Sequence, residues 1–99
     1  MKPPDACQSL TDVRAAIDRI DREILALLGR RADYVHAAAH FKETEEAVAA
    51  PDRQAAVFRT RREWAREEDL DPDFIERIYR ELVAYFLERE REHWKTLES

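Results

Sequence analysis

The sequence predicts an all-α chain of three helices, and three observations carry that expectation. Ala, Arg, Glu and Leu dominate the composition, and all four have good helix propensity. Glycine occurs once, as Gly29, and beyond the first few residues Pro51 and Pro72 are the only strong punctuators. Apolar residues recur at spacings of three and four along most of the chain. Two breaks make three helices, and ninety-nine residues make one domain, 1–99.

Residues 1–8 form an N-terminal arm. Ser9 is the expected N-cap of the first helix, with Asp12 three residues on as a short-armed version of the capping box. Leu10, Val13, Ile17, Ile20, Ile24, Leu28, Val35 and Ala38 then mark one face, so the helix is expected to run from about 9 to 42. At ~1.5 Å per residue it is roughly 50 Å long. A compact monomer of this size is only about 35 Å across. The helix therefore overshoots its own domain, and a second copy of the chain is the simplest cover for its apolar stripe, giving an intertwined homodimer. Gly29 costs about 1 kcal/mol relative to alanine and is expected to permit a close helix contact.

Residues 43–51 break the pattern and are expected to be a loop. A second, shorter helix carries Val57, Phe58, Arg61 and Trp64. Asp71-Pro72 reads as a helix start, with Asp as N-cap and Pro in the first turn. The third helix places Ile75, Ile78, Leu82, Phe86, Trp94 and Leu97 on one side, and its Glu/Arg-rich end is a solvated face of i, i+4 pairs.

The net charge of −5 argues against a nucleic-acid binder, although a small anionic substrate answers to local charge only. A single cysteine, Cys7, forms no intramolecular disulfide, and no basic partner marks it as a nucleophile. No apolar run reaches membrane-spanning length and no signal pattern opens the chain, so the expected location is the cytoplasm, with no membrane partner. His36 and His40 have the i, i+4 spacing of a metal pair. They lie off the apolar stripe without a third ligand, so no metal site is expected. Trp64 and Trp94 read as packing residues.

Charged residues at positions where the periodicity asks for a hydrophobe are more informative. The first stripe reaches Arg31 and Lys42, with Arg14 at its edge, and the last helix places Glu90 between Phe86 and Trp94. A buried cation needs a partner. An internal salt bridge, Arg31 with Glu90, is the plain reading of any one of them. Three inward cations against one inward acid leave positive charge over, which an anionic ligand would balance, arginine being suited to carboxylates.

The run Val13-Arg14-Ala15-Ala16-Ile17-Asp18-Arg19-Ile20-Asp21, followed by Leu27-Leu28-Gly29-Arg30-Arg31 and Phe41-Lys42, resembles the AroQ chorismate mutase superfamily. Ala50-Pro51-Asp52-Arg53, Arg62-Glu63-Trp64-Ala65, His93-Trp94 and the arm ending in Cys7 are most similar to its isochorismate pyruvate lyase branch, which serves siderophore salicylate synthesis. The resemblance implies concerted pericyclic chemistry on chorismate-type dicarboxylates, with no cofactor or metal, in a homodimer with shared active sites. It implies that Arg14 of one protomer and Arg31 of the other grip the substrate carboxylates, with Val35 also lining the site. Lys42 would stand at the ether oxygen and the enolpyruvyl carboxylate. Arg53 would close over the site, with 43–51 as a mobile lid, and position 90 would donate a hydrogen bond to the ether oxygen.

Two positions depart from the lyase pattern. It has glutamine at position 90, where this chain has Glu90, which donates only when protonated; fungal mutases also carry glutamate there. At position 54 dedicated mutases usually have glutamate and the lyase an apolar residue, whereas this chain has Gln54. Isochorismate pyruvate lyase with mutase side activity, dedicated chorismate mutase and amino-deoxychorismate mutase therefore all stay open. A non-catalytic helical dimerisation module is the reading from another class, against which the inward cations argue.

Overall fold

The computed structural model describes residues 2–98, and among them every regular element is helical. After a 3-10 turn at Pro4–Ala6 come α1 (Leu10–Ala38), a second 3-10 turn at Ala39–Phe41, α2 (Glu45–Ala49), α3 (Pro51–Glu67) and α4 (Pro72–Glu98). None of these is long and apolar enough to cross a membrane. The chain divides between Asp33 and Tyr34 into two compact units.

In the first unit the cap at Ser9 forms as its residue types require. Ser9 Oγ accepts from the Asp12 N–H at 3.1 Å. The returning bond goes one residue further back than in a standard capping box: Asp12 Oδ2 accepts from the Gln8 N–H at 3.0 Å. Lys2 pairs with the same oxygen at 3.1 Å and ties down the arm. Backbone hydrogen bonding and the Lys2 ammonium hold the Asp12 carboxyl below its ordinary pKa. The stripe on α1 is left open: Ile17 is 50% and Ile24 48% exposed. A Cβ placed on Gly29 would meet nothing within 4 Å among the described residues.

In the second unit α4 packs against α3, α2 and the turn at Ala39–Phe41. Here the structure corrects two boundaries. α1 ends at Ala38, and the next residues tighten into the 3-10 turn where a helix to 42 was expected. The supposed loop 43–51 contains α2, capped by the Thr44 hydroxyl on the Ala47 N–H at 3.1 Å and anchored by Val48, which is wholly buried. Ala50, at φ 42°, is at once the end of α2 and the start of α3. It precedes Pro51, whose ring disfavours the right-handed helical region for the residue before it.

The turn after α3 is a Schellman motif. Leu70 N–H reaches the Ala65 carbonyl at 2.8 Å and Asp69 N–H the Arg66 carbonyl at 3.1 Å, with Asp69 left-handed at φ 60°. Asp71 then caps α4 through its Oδ1 to the Asp73 N–H at 2.9 Å, as its place before Pro72 predicts. The buried face of α4 is carried by Val83, Phe86 and Glu90; Ile78 and Leu97, expected inward, are more than a third exposed. On α3 the buried positions are Val57 and Ala65. Trp64, expected to pack in the core or at an interface, is half exposed in the single chain and lies under the Arg61 guanidinium, 4.5 Å from its ring centroid.

Candidate functional site

The apolar face of α4 delivers one ionisable group into the interior of the second unit. Glu90 is 6% exposed, one helical turn beyond the buried Phe86. Within this unit its partner is Lys42, whose ammonium lies 3.7 Å from Glu90 Oε2. That distance makes an ion pair but exceeds a hydrogen bond, and among the described residues no hydrogen-bond donor reaches the buried Glu90 Oε2. Burial raises the Glu90 pKa above its ordinary 4.5, and the charge of Lys42 opposes the rise without reversing it.

Lys42 is held at three points. Its backbone N–H closes the 3-10 turn on Ala39 O at 3.3 Å. Its ammonium donates to the Ala47 carbonyl of α2 at 3.2 Å. Its own carbonyl accepts from the Trp94 indole N–H at 3.0 Å. Trp94, one turn beyond Glu90 on α4, thus does more than the packing expected of it. α2 is fastened to the same stretch of α4, with Glu45 facing Arg91 at 3.5 Å and Lys95 at 3.9 Å.

The other expected site residues are placed as follows. Arg14 and Arg31 lie on α1 in the first unit, Arg14 exposed and Arg31 half-buried. Val35 is half-buried near the end of α1, and Arg53 is exposed in the first turn of α3. Gln54 lines an open depression of about 710 Å³ with Phe58, Arg62, Glu76 and Arg80, and neither Lys42 nor Glu90 lines that depression. Three of the charged residues that line it are engaged with one another or with Asp73: Arg62 pairs with Asp73 at 2.9 Å and Glu76 at 3.2 Å, and Arg80 with Glu76 at 2.9 Å.

His93, taken from the sequence only as part of the His93-Trp94 motif, also comes to this region. His93 of α4 stacks on His36 with ring centroids 3.4 Å apart, and its Nε2 stands 3.4 Å from that of His40. Even so, among the described residues no group of three or more His, Cys, Asp or Glu stands so as to hold a metal ion. The spacing of His36 and His40 gave two of the three members of this cluster, while His93 lies 53 residues from His40 and only the fold joins them.

Residues 13–91 match the family described as chorismate mutase type II. The chain belongs to that family. Among curated relatives it is 43% identical over 95 residues to isochorismate pyruvate lyase of Pseudomonas aeruginosa, a match covering 96% of this chain and 94% of that one. It is 41% identical over 78 residues to the bifunctional chorismate mutase/prephenate dehydratase of Neisseria gonorrhoeae, and 29% identical over 94 residues to the T-protein of Haemophilus influenzae. The matched stretch is 21% of the first of these two and 25% of the second. The family is all-α, in keeping with the helices above, and the agreement in length with the lyase runs nearly end to end.

Proposed function

We propose that this type II chain is an isochorismate pyruvate lyase, converting isochorismate to salicylate and pyruvate with chorismate mutase as a side activity. The observation that carries the reading is the 43% identity to a lyase over nearly the full length of both chains. The buried Lys42–Glu90 pair is its chemical support. Isochorismate is the sum of salicylate and pyruvate, so the reaction needs no other reactant. The ether C–O bond breaks, one ring hydrogen passes to the enolpyruvyl methylene to make the pyruvate methyl group, and the ring becomes aromatic. Negative charge develops on the departing ether oxygen, so the enzyme's tasks are to fold the substrate and to place donors there.

In this reading Lys42 supplies the cationic donor and protonated Glu90 a second hydrogen bond, which accounts for an acid held buried with an oxygen lacking any donor. Arg14 of one protomer and Arg31 of the other take the substrate carboxylates. Arg53 and the α2 segment close the site, and Val35 and Gln54 line it, Gln54 toward the ring hydroxyl. The location that goes with such an enzyme is the cytoplasm, with no nucleic-acid or membrane partner.

A second reading, a dedicated chorismate mutase, is favoured by Glu90 and Gln54, which depart from the lyase pattern. Purified protein assayed side by side on chorismate and isochorismate decides between them. Salicylate and pyruvate from isochorismate, with slower prephenate formation, are expected; prephenate alone makes the chain a mutase.

The homodimer is part of the same proposal, supported by the open stripe on α1. Sedimentation equilibrium is expected to give twice the chain mass. Ile17→Glu, which puts a charge in the middle of the stripe, is expected to shift the protein to monomer and remove activity with it. A dimer unaffected by that change would move the interface elsewhere.

A further inference from the structure

His36, His40 and His93 have no part in the chemistry above, yet their rings are in mutual contact. Centroids lie 3.4 Å apart between His36 and His93, 5.3 Å between His40 and His93, and 6.4 Å between His36 and His40. The 3.4 Å between the Nε2 atoms of His40 and His93 is long for a hydrogen bond, so the cluster is held mainly by ring packing. Its position is what matters. His36 lies in the last turn of α1, His40 in the 3-10 turn that leads into Lys42, and His93 between Glu90 and Trp94 on α4. The cluster therefore joins the segment that carries Lys42 to the turn of α4 that carries Lys42's two partners.

We propose that this imidazole cluster is a proton-sensitive fastener: neutral, it clamps α4 to residues 36–42 and keeps Lys42 in register with Glu90 and Trp94; protonated, it lets go. Two imidazolium rings at these separations repel one another, and separating them is the simplest relief. The groups that face His93 are His36 from α1 and His40 from the turn. Along α4 its charged neighbours one turn back are Arg89 and Glu90, the latter taken up by Lys42. Glu45 of α2 is engaged by Arg91 and Lys95.

The electrostatics agree in sign. Burial, and then the charges of His36 and His40, hold the His93 pKa below its ordinary 6.5. The folded state thus prefers the neutral ring: the clamp is complete above that ordinary value and is lost as pH falls below it and through the depressed one. Only the cost of release to catalysis rests on the function proposed above; the clamp itself does not.

Trp94 is the built-in reporter, since its indole is bonded to Lys42 O. The chain has two tryptophans, so Trp64→Phe leaves Trp94 alone. In that background the indole emission is expected to shift to longer wavelength in a reversible step below about pH 6.5, ahead of global unfolding seen by far-UV circular dichroism. Adding His93→Phe, which keeps a stacking ring but cannot titrate, is expected to abolish the step. Adding the exposed His36→Gln instead removes one repelling charge and is expected to move the step upward by roughly 0.5 pH unit. A step that survives His93→Phe, or a folded Trp64→Phe protein with no step, overturns the proposal; should His93→Phe not fold, an unmoved step in His36→Gln does so. With isochorismate as substrate, His93→Phe is expected to lose the acid-side fall in activity and keep the alkaline-side fall that follows if Glu90 donates only when protonated. Loss of the alkaline-side fall instead would count against the Glu90 reading and leave the clamp standing.

Discussion

Lys42→Ala is expected to lower kcat on isochorismate by about 10² to 10³, the range found when one donor aimed at developing negative charge is removed. The argument rests on what the side chain does before substrate arrives. Lys42 is three-quarters covered and tied by its ammonium to the Ala47 carbonyl, by its carbonyl to Trp94 and by its charge to Glu90. A flexible chain so constrained delivers its charge to one place without reordering, which is what transition-state stabilisation requires. Lys42→Arg is expected to recover only part of the loss, because the broad guanidinium replaces a point charge.

The same substitution carries a second reading. Without Lys42 the only effect opposing the burial of Glu90 disappears, so the Glu90 pKa rises further. The variant should therefore fold normally in acid and lose stability relative to wild type as pH rises, a trend that paired thermal melts would show. A pH-independent loss would mean that Lys42 acts on the packing of the turn and not on the charge of Glu90. Single-turnover rates separate the catalytic defect from that structural one.

What the sequence made legible follows from how far each signal reaches. The run from Leu10 to Ala38 repeats its apolar face over eight turns, and the Ser9 and Asp71-Pro72 starts are local chemistry, so these elements were found. α2 was missed because five residues are too short to show a period; only Thr44 and the turn at Ala50 mark its ends. Lys42 and Glu90 stood out as charges on an apolar face, but periodicity alone offers Arg31 as readily as Lys42 for a partner, and it was the family resemblance that put Lys42 beside position 90, where their ion pair is found. Trp94 was legible as a large ring and illegible as a donor, because its acceptor is a backbone carbonyl 52 residues away. The face of α4 was read from Ile75, Ile78, Leu82, Phe86, Trp94 and Leu97; Phe86 is buried, but Val83 next to Leu82 is buried as well, and two apolar candidates on neighbouring positions leave the rotation of a helix to its neighbours.

Glu90→Gln is the substitution from which the largest pH-dependent gain is expected. A glutamine amide donates a hydrogen bond at every pH, while Glu90 donates only when protonated. Because burial holds its pKa above 4.5, wild-type kcat/KM is expected to fall by up to about tenfold per pH unit once Glu90 ionises. The variant should match wild type on the acid side and exceed it progressively on the alkaline side.

Stability is expected to follow the same sign. A carboxyl whose folded pKa is raised contributes stability that is complete below its ordinary 4.5 and is lost as pH rises through the raised value. Glutamine has no such loss, so the melting temperatures of the two proteins should coincide in acid and diverge in favour of the variant toward neutrality. The ion pair with Lys42 works against this divergence, and burial, the larger effect, fixes its direction. A variant that gains stability without gaining alkaline activity would show that Glu90 is a buried burden and no donor. One that gains both would tie the buried oxygen without a donor to the breaking ether bond.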